Sequence, residues 1–365
     1  MNQRLYLDHA ATTPVVPAAR AAMAEALERW ANPSSPHSEG RAARAALEEA
    51  RERITAALGW DGELIFTSGA SEAIALALRG HDAVASAVEH DAVLAAVGAE
   101  ARLPIDAGGI VQLNSVARGR RYAIQQVNNE TGVIQPLAEL GTAIREGGAL
   151  LFADCAQGAG KLPLPDADLI CVSAHKLGGP PGIGALLLRD LSLLHPSGGQ
   201  EQGYRRGTEN LPAVMGFAAA LEELVVPAQA GTAASNAQFS HGPRLRGGDE
   251  LVRLRTLLDA RLIALGAEVV ADHSPRLATI ASYRMPGVSA SSQLIGFDMA
   301  GIAVSAGSAC SSGTLKTSHV LGAMGWEAQA AAQVIRVSFG PQTNEADVDR
   351  FIAAWDGIES RAKAA

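Results

Sequence analysis

Leu169-Ile170-Cys171-Val172-Ser173-Ala174-His175-Lys176-Leu177-Gly178-Gly179 passes from four apolar residues into a compact polar group and then a glycine-rich turn. A short apolar run bounded in this way reads as a buried strand, with the polar group marking its end. Four runs upstream repeat the pattern. Glu63 to Thr67, Ala83 to Val88, Arg121 to Val127 and Leu150 to Ala153 are strand-like, and each precedes a helix-compatible segment. Strands alternating with helices define an α/β domain with a mostly parallel sheet. Gly184 to Leu188 adds one more strand after a Gly/Pro loop.

The chemistry sits where these strands end. Ser68-Gly69-Ala70-Ser71-Glu72, Glu89-His90, Asn128-Asn129-Glu130, Asp154-Cys155-Ala156-Gln157 and Ser173-Ala174-His175-Lys176 follow the five runs in order. An open parallel sheet gathers such ends at one crevice, the place where ligands bind. Ser68 to Ser71 suits the start of a helix whose N–H groups, with the Ser71 hydroxyl, surround an anion; simple capping by Ser71 is the rival reading. The stretch is neither a P-loop nor a dinucleotide fingerprint. Ser173 and His175 add a hydroxyl and an imidazole, which favours the phosphate of a cofactor.

Lysine is rare: Lys161, Lys176, Lys316 and Lys363 are the only ones among 30 Lys and Arg residues. Lys176 at a strand end therefore points to a primary amine that arginine cannot replace, as in a Schiff base. Asp154 suits a protonated pyridine nitrogen, or else caps a helix. His90 can stack on a flat ring or move protons near neutrality. Arg336 interrupts the apolar strand Val334 to Phe339, where a guanidinium needs a partner. An amino-acid carboxylate fits its fork, and an inter-domain salt bridge is the competing explanation.

Cys310 lies in Ala303-Val304-Ser305-Ala306-Gly307-Ser308-Ala309-Cys310-Ser311-Ser312-Gly313, among small polar residues that suit a reactive thiol better than a core one. With Cys155 and Cys171 it makes an odd count without Cys-x-x-Cys spacing, so neither a disulfide framework nor a cysteine-based zinc site is indicated. Over 365 residues the chain is 48% hydrophobic and 19% charged, with a net charge of -8. That balance gives no basic face by default for nucleic acid or an anionic membrane, though it leaves room for a local basic partner site. No apolar stretch is long enough to span a bilayer and no secretory signal is evident, so a cytoplasmic protein without direct nucleic-acid or membrane partners is expected.

Helical periodicity covers Arg20 to Trp30 and Gly40 to Leu58, separated by the breaker cluster Asn32-Pro33-Ser34-Ser35-Pro36. Composition shifts near Val226, and Ala228 to Glu250 lacks regular periodicity. A helix over Leu251 to Leu265, strands near Leu277 to Tyr283, Gly301 to Ser305 and Val334 to Phe339, and a closing helix over Glu345 to Glu359 then suit a smaller α+β domain.

Six stretches together carry a resemblance. Tyr6-Leu7-Asp8-His9-Ala10-Ala11-Thr12-Thr13-Pro14, Asn32-Pro33-Ser34-Ser35, Phe66 to Glu72, Val127-Asn128-Asn129-Glu130-Thr131-Gly132, Ser173 to Lys176 and Gly307-Ser308-Ala309-Cys310 resemble the NifS/IscS-like cysteine desulfurases, fold-type I pyridoxal 5'-phosphate enzymes of the class V aminotransferase group. The likeness runs from residue 6 to about 340. It implies a large domain with a mostly parallel seven-stranded sheet, residues 14–250, and a small α+β domain, residues 251–365 joined by 1–13.

By the same resemblance Lys176 forms the Schiff base with pyridoxal 5'-phosphate and moves the Cα proton. His90 stacks on the ring, Asp154 meets the pyridine nitrogen and Gln157 the ring oxygen, while Ser71, Ser173 and His175 hold the phosphate. Thr208 reaches the phosphate of the other subunit, implying a homodimer. Asn129, Arg336 and Asn32 orient the carboxylate of L-cysteine. Cys310 takes the sulfur as a persulfide, releases L-alanine and passes the sulfur to an acceptor thiol on an iron–sulfur scaffold or a tRNA-thiolation relay.

Ser71 stands where the family usually has threonine, the stretch between about Val226 and Ile280 is shorter, and the tail beyond Phe351 is brief. The Gly/Ser-rich surroundings of Cys310 resemble the group with a long catalytic loop, favouring cysteine over selenium-specific chemistry. Two other functions fit the residues: a class V aminotransferase or lyase for another amino acid, and a non-enzymatic sulfur-relay or scaffold-binding protein.

Overall fold

The computed structural model describes residues 4–29, 31–98, 102–226, 244–306 and 317–364. Among them, seven strands form one sheet in the spatial order Glu63–Thr67, Gly184–Leu188, Leu169–Ser173, Leu150–Asp154, Arg121–Gln125, Ala83–Ser86, Arg102–Leu103. Gly184–Leu188 runs antiparallel to both neighbours, and the remaining neighbours in this sheet pair parallel. The five central strands are buried almost throughout on both faces, which is why their sequences are continuous apolar runs rather than alternating ones.

Helices cover the sheet through narrow apolar stripes. Ser38–Leu58 buries Gly40, Ala43, Leu47, Ala50, Ile54 and Leu58, a spacing of three or four residues that keeps one face inward. His37 caps its start by accepting from the Gly40 N–H, and Gly59 ends it at φ 68°, a left-handed value that favours glycine. Truncating the fully buried Leu47 to alanine would cost about 2–5 kcal/mol. Pro17–Glu28 begins three residues before the expected Arg20, because Pro17 is tolerated in the first turn, where its missing N–H costs nothing.

A second sheet is antiparallel, in the order Glu268–Val269, Ile280–Arg284, Val334–Ser338. Its core stacks Phe297 on Phe351 at 4.8 Å, beside Trp355 and Tyr283. The strand expected from Leu277 begins instead at Ile280, since the Leu277 N–H bonds to the Gly132 carbonyl and its own carbonyl closes a turn to Ile280. The expected strand Ala83 to Val88 likewise stops at Ser86. There the Glu89 N–H turns back to the Ser86 carbonyl, and the Glu89 carboxyl takes the Gln125 N–H.

The N-terminal segment links the two sheets. Leu5–Tyr6 pairs parallel with Ile302–Ala303, Asp8 bridges to Ser338, and Thr13 then bonds to the His175 carbonyl. No helix among the described residues is long and apolar enough to cross a membrane.

Candidate active site

A cavity of about 470 Å³ opens at the carboxyl ends of the central strands. Its lining includes Ser71, His90, Asn129, Asp154, Gln157 and Ser173, with His175, Lys176 and Arg336 completing the ring. Nine of the residues singled out from the sequence thus converge on one space.

Lys176 sits on a tight turn, Ala174–Leu177, ended by Gly178 at φ 73°. Its Nζ donates to the Ala10 and Ala11 carbonyls, so the amine is held at the cavity wall by the N-terminal segment. The Ala10 carbonyl also accepts from Gln157 Nε2 at 2.8 Å. Asp154 ends its strand nearly buried, with one carboxylate oxygen on the Ala156 N–H at 2.9 Å. His90 accepts the Ala92 N–H at Nδ1, which in the neutral ring places the proton on Nε2.

Ser68 to Ser71, with Ser173 and His175, line another part of the cavity. Gly69, at φ 148°, turns the chain into the helix Ala70–Leu78, and a Cβ there would lie 3.9 Å from Ser173 Oγ. Gly184 lets the neighbouring strand approach: a Cβ on it would come within 2.8 Å of the Gly69 Cα. Glu72 bonds to the Ser68 N–H and pairs with Arg205 at 2.8 Å. Burial raises its carboxyl, but the Arg205 and Ser68 bonds outweigh this and lower it overall. His175 shares a hydrogen bond with Thr12 Oγ1 at 3.2 Å, and burial, then the neighbouring Lys176, pulls it down to about 4.

Arg336 is almost fully buried. Nη1 donates to the Asn129 carbonyl at 2.9 Å and Nη2 to Asp8 at 2.8 Å, while Nε is enclosed without a partner. This is the ion pair that the strand's charge demands, and the side chain still faces the cavity.

Two anticipated residues stand elsewhere. Asn32 is exposed, its Oδ1 accepting from the Ser34 N–H in a local turn, and Thr208 is exposed outside the cavity. Neither is brought to the site by this chain alone. Cys310 lies outside the described residues. Cys155 and Cys171 are buried, and burial, then the charge of Asp154, pushes both thiols well up, so they remain unreactive thiols.

Residues given no role from the sequence also lie close to the site, outside its lining. Glu89 is fully buried behind His90, its Oε1 accepting from Ser86 Oγ at 2.7 Å and the Gln125 N–H at 2.8 Å. Burial pushes its carboxyl up to about 8. Lys161 is drawn down to about 7 by burial and then by Lys176. Asp8 was legible only as part of a motif, since nothing local reveals its partner.

The donor set fits pyridoxal phosphate: an amine, a buried carboxylate, an imidazole and an anion cradle surround one cavity, and Gln157 Oε1 is buried there without a partner. A lysine, an aspartate and a cradle so arranged define a pyridoxal-phosphate enzyme of the doubly wound type. Residues 5–351 match the class-V aminotransferase family, and the chain belongs to it.

Within that family the chain is similar to cysteine desulfurases. The IscS-like cysteine desulfurase of Mycobacterium tuberculosis is 36% identical, covering 99% of this chain and 97% of that protein. Among solved structures, a NifS-like protein from Rickettsia africae superposes with a TM-score of 0.83 at 28% identity, over 98% of this chain and all of that one. SspA, solved in complex with cysteine, gives 0.73 at 27% identity, over 93% and 100% of the two chains. The fold is that of the fold-type I enzymes.

Proposed function

We propose that this chain is a pyridoxal-phosphate-dependent cysteine desulfurase, converting L-cysteine to L-alanine and carrying the sulfur on Cys310. The observation that carries the reading is the convergence of Lys176, Asp154, His90, Ser173 and His175 on one cavity that Arg336 also faces. Lys176 would hold the cofactor covalently, Asp154 its pyridine nitrogen, Gln157 its ring oxygen, and Ser71, Ser173 and His175 its phosphate. Pyridoxal phosphate, when bound, supplies a sink for the electron pair left as the substrate Cα loses its proton.

The remaining work falls to the chain. Arg336 and Asn129 orient the substrate carboxylate, so that the Cα–H bond faces the Lys176 amine, which takes the proton. His90 closes one face and holds its Nε2 proton toward the cavity. The Cys310 thiolate then attacks the substrate sulfur. A sulfur–sulfur bond forms, the carbon–sulfur bond breaks, and its electron pair stays with the three-carbon fragment that is protonated to L-alanine. The persulfide sulfur passes to an acceptor protein thiol, for which an iron–sulfur scaffold or a tRNA-thiolation relay has the required chemistry.

The exposure of Thr208, tied back through Arg205 to Glu72, supports a homodimer in which it reaches the partner's phosphate site. The two separate sheets support a large domain at 14–250 and a small one formed by 251–365 with 1–13. Persulfide transfer favours the reducing cytoplasm.

The test is direct. Protein supplied with pyridoxal phosphate should show a visible absorption band, and L-cysteine with a reductant should yield alanine and sulfide. Lys176→Ala should abolish the band. Cys310→Ala should keep the band and lose sulfide release. A Cys310→Ala enzyme that releases sulfide at the normal rate would overturn the assignment of the thiol.

A further inference from the structure

Arg336 does not wait for a substrate unpaired. Asp8 holds its Nη2 at 2.8 Å and the Asn129 carbonyl holds its Nη1, leaving the enclosed Nε and one hydrogen on each terminal nitrogen for a ligand. Arg336 lines the cavity whereas Asp8 does not, so the carboxylate stands behind the guanidinium. Asp8 is also fixed by its backbone. It bridges to Ser338, and its carbonyl accepts from Tyr6 Oη and from the N–H groups of Ala11 and Thr12.

We propose that Asp8 is the counter-ion that weakens the grip of Arg336 on carboxylates, so that L-cysteine binds and L-alanine, bearing the same carboxylate, can leave. The inference rests on the reading of Arg336 as the substrate's carboxylate site. An arginine buried to 3% exposure attracts any anion strongly if no charge opposes it, and Asp8 at 20% is placed to oppose it without occupying the ligand's side. Substrate and product are held alike, so the gain for the enzyme lies in turnover rather than in affinity.

Asp8→Asn separates charge from shape, because its Oδ1 still accepts from Nη2. In the cofactor-loaded enzyme the KM for L-cysteine should fall about tenfold, equivalent to about 1.4 kcal/mol, with kcat lower because L-alanine leaves more slowly. Inhibition by propionate, which carries the carboxylate and lacks the amine, should tighten by the same factor. The melting temperature without ligand should drop, and propionate should raise it more than in the wild type. Asp8→Ser, with a hydroxyl acceptor and no charge, should move the constants the same way should the first variant fold poorly.

Arg336→Lys serves as the control and should weaken propionate. If Arg336→Lys leaves propionate inhibition unchanged, the carboxylate binds elsewhere and both readings fall. If it weakens propionate while both Asp8 variants leave KM and inhibition unchanged, or worsen them, the counter-ion role alone is refuted.

Discussion

Replacing Glu89 with glutamine should change how stability depends on pH, and the structure fixes the direction. Glu89 is fully buried, with Oε2 enclosed and unpartnered, and burial lifts its carboxyl from an ordinary 4.5 to about 8. Between those values the unfolded chain releases the proton while the folded chain keeps it. Stability therefore falls as pH rises through that window and levels off above about 8. The slope is about 1.4 kcal/mol per pH unit, so the whole window is worth about 3–5 kcal/mol. Glutamine keeps the acceptor for Ser86 Oγ and the Gln125 N–H but cannot ionise. Urea unfolding of wild type and Glu89→Gln, at matched cofactor loading, should give a stability difference that grows in favour of the variant from about pH 5 to about pH 8.5. Other titrating groups cancel in that difference. A difference that stays flat across the range would mean that Glu89 ionises normally, and the buried acid behind His90 would have to be abandoned.

Three further outcomes are expected. Iodoacetamide should leave Cys155 and Cys171 unmodified in the folded protein, because burial holds both as neutral thiols; peptide mass mapping reads this directly. Gly69→Ala has room for its methyl group but must adopt φ 148°, so it should cost about 1–3 kcal/mol in urea unfolding. The same variant should bind pyridoxal phosphate more weakly in a fluorescence titration, since the strained turn forms the cradle. Lys161, lowered by burial and Lys176 to about 7, opposes folding at acid pH, where it must carry a charge in the folded chain. Lys161→Met should accordingly raise the melting temperature more at pH 6 than at pH 9, and an equal shift at both would contradict the cause given.

The strand ends were legible in the sequence because each combines two local signals, an apolar run and an abrupt polar group. Glu63–Thr67 and Gly184–Leu188 match their expected bounds, and Asp154, Ser173 and Lys176 stand at the crevice that the parallel order requires. Where the bounds shifted, a side chain or a distant carbonyl had intervened: Glu89 took the hydrogen bond that would have lengthened its strand, and Gly132 captured Leu277. Asn32 fits its motif yet remains in a surface turn, since a local Asn-Pro-Ser-Ser pattern fixes the turn without fixing what it faces. The protonation of Glu89 could not be read at all, because it depends on burial by residues far along the chain.

The same limit explains why the N-terminal segment looked like a motif without a job. Asp8 meets Arg336, the Ala10 carbonyl holds both Lys176 and Gln157, and Thr12 meets His175. These partners lie more than a hundred residues away, so no periodicity or spacing announces them. Asp8, Ala10 and Thr12 thus touch the residues of the proposed carboxylate, amine, ring-oxygen and phosphate subsites together. A shift of this short segment would misplace several of them at once, and proximity effects lose rate steeply with misplacement of about 1 Å. The strap therefore has to be anchored at both ends, by Ser338 behind Asp8 and by the His175 carbonyl at Thr13; the first anchor lies in the antiparallel sheet and the second in the turn that follows Leu169–Ser173 of the seven-stranded sheet.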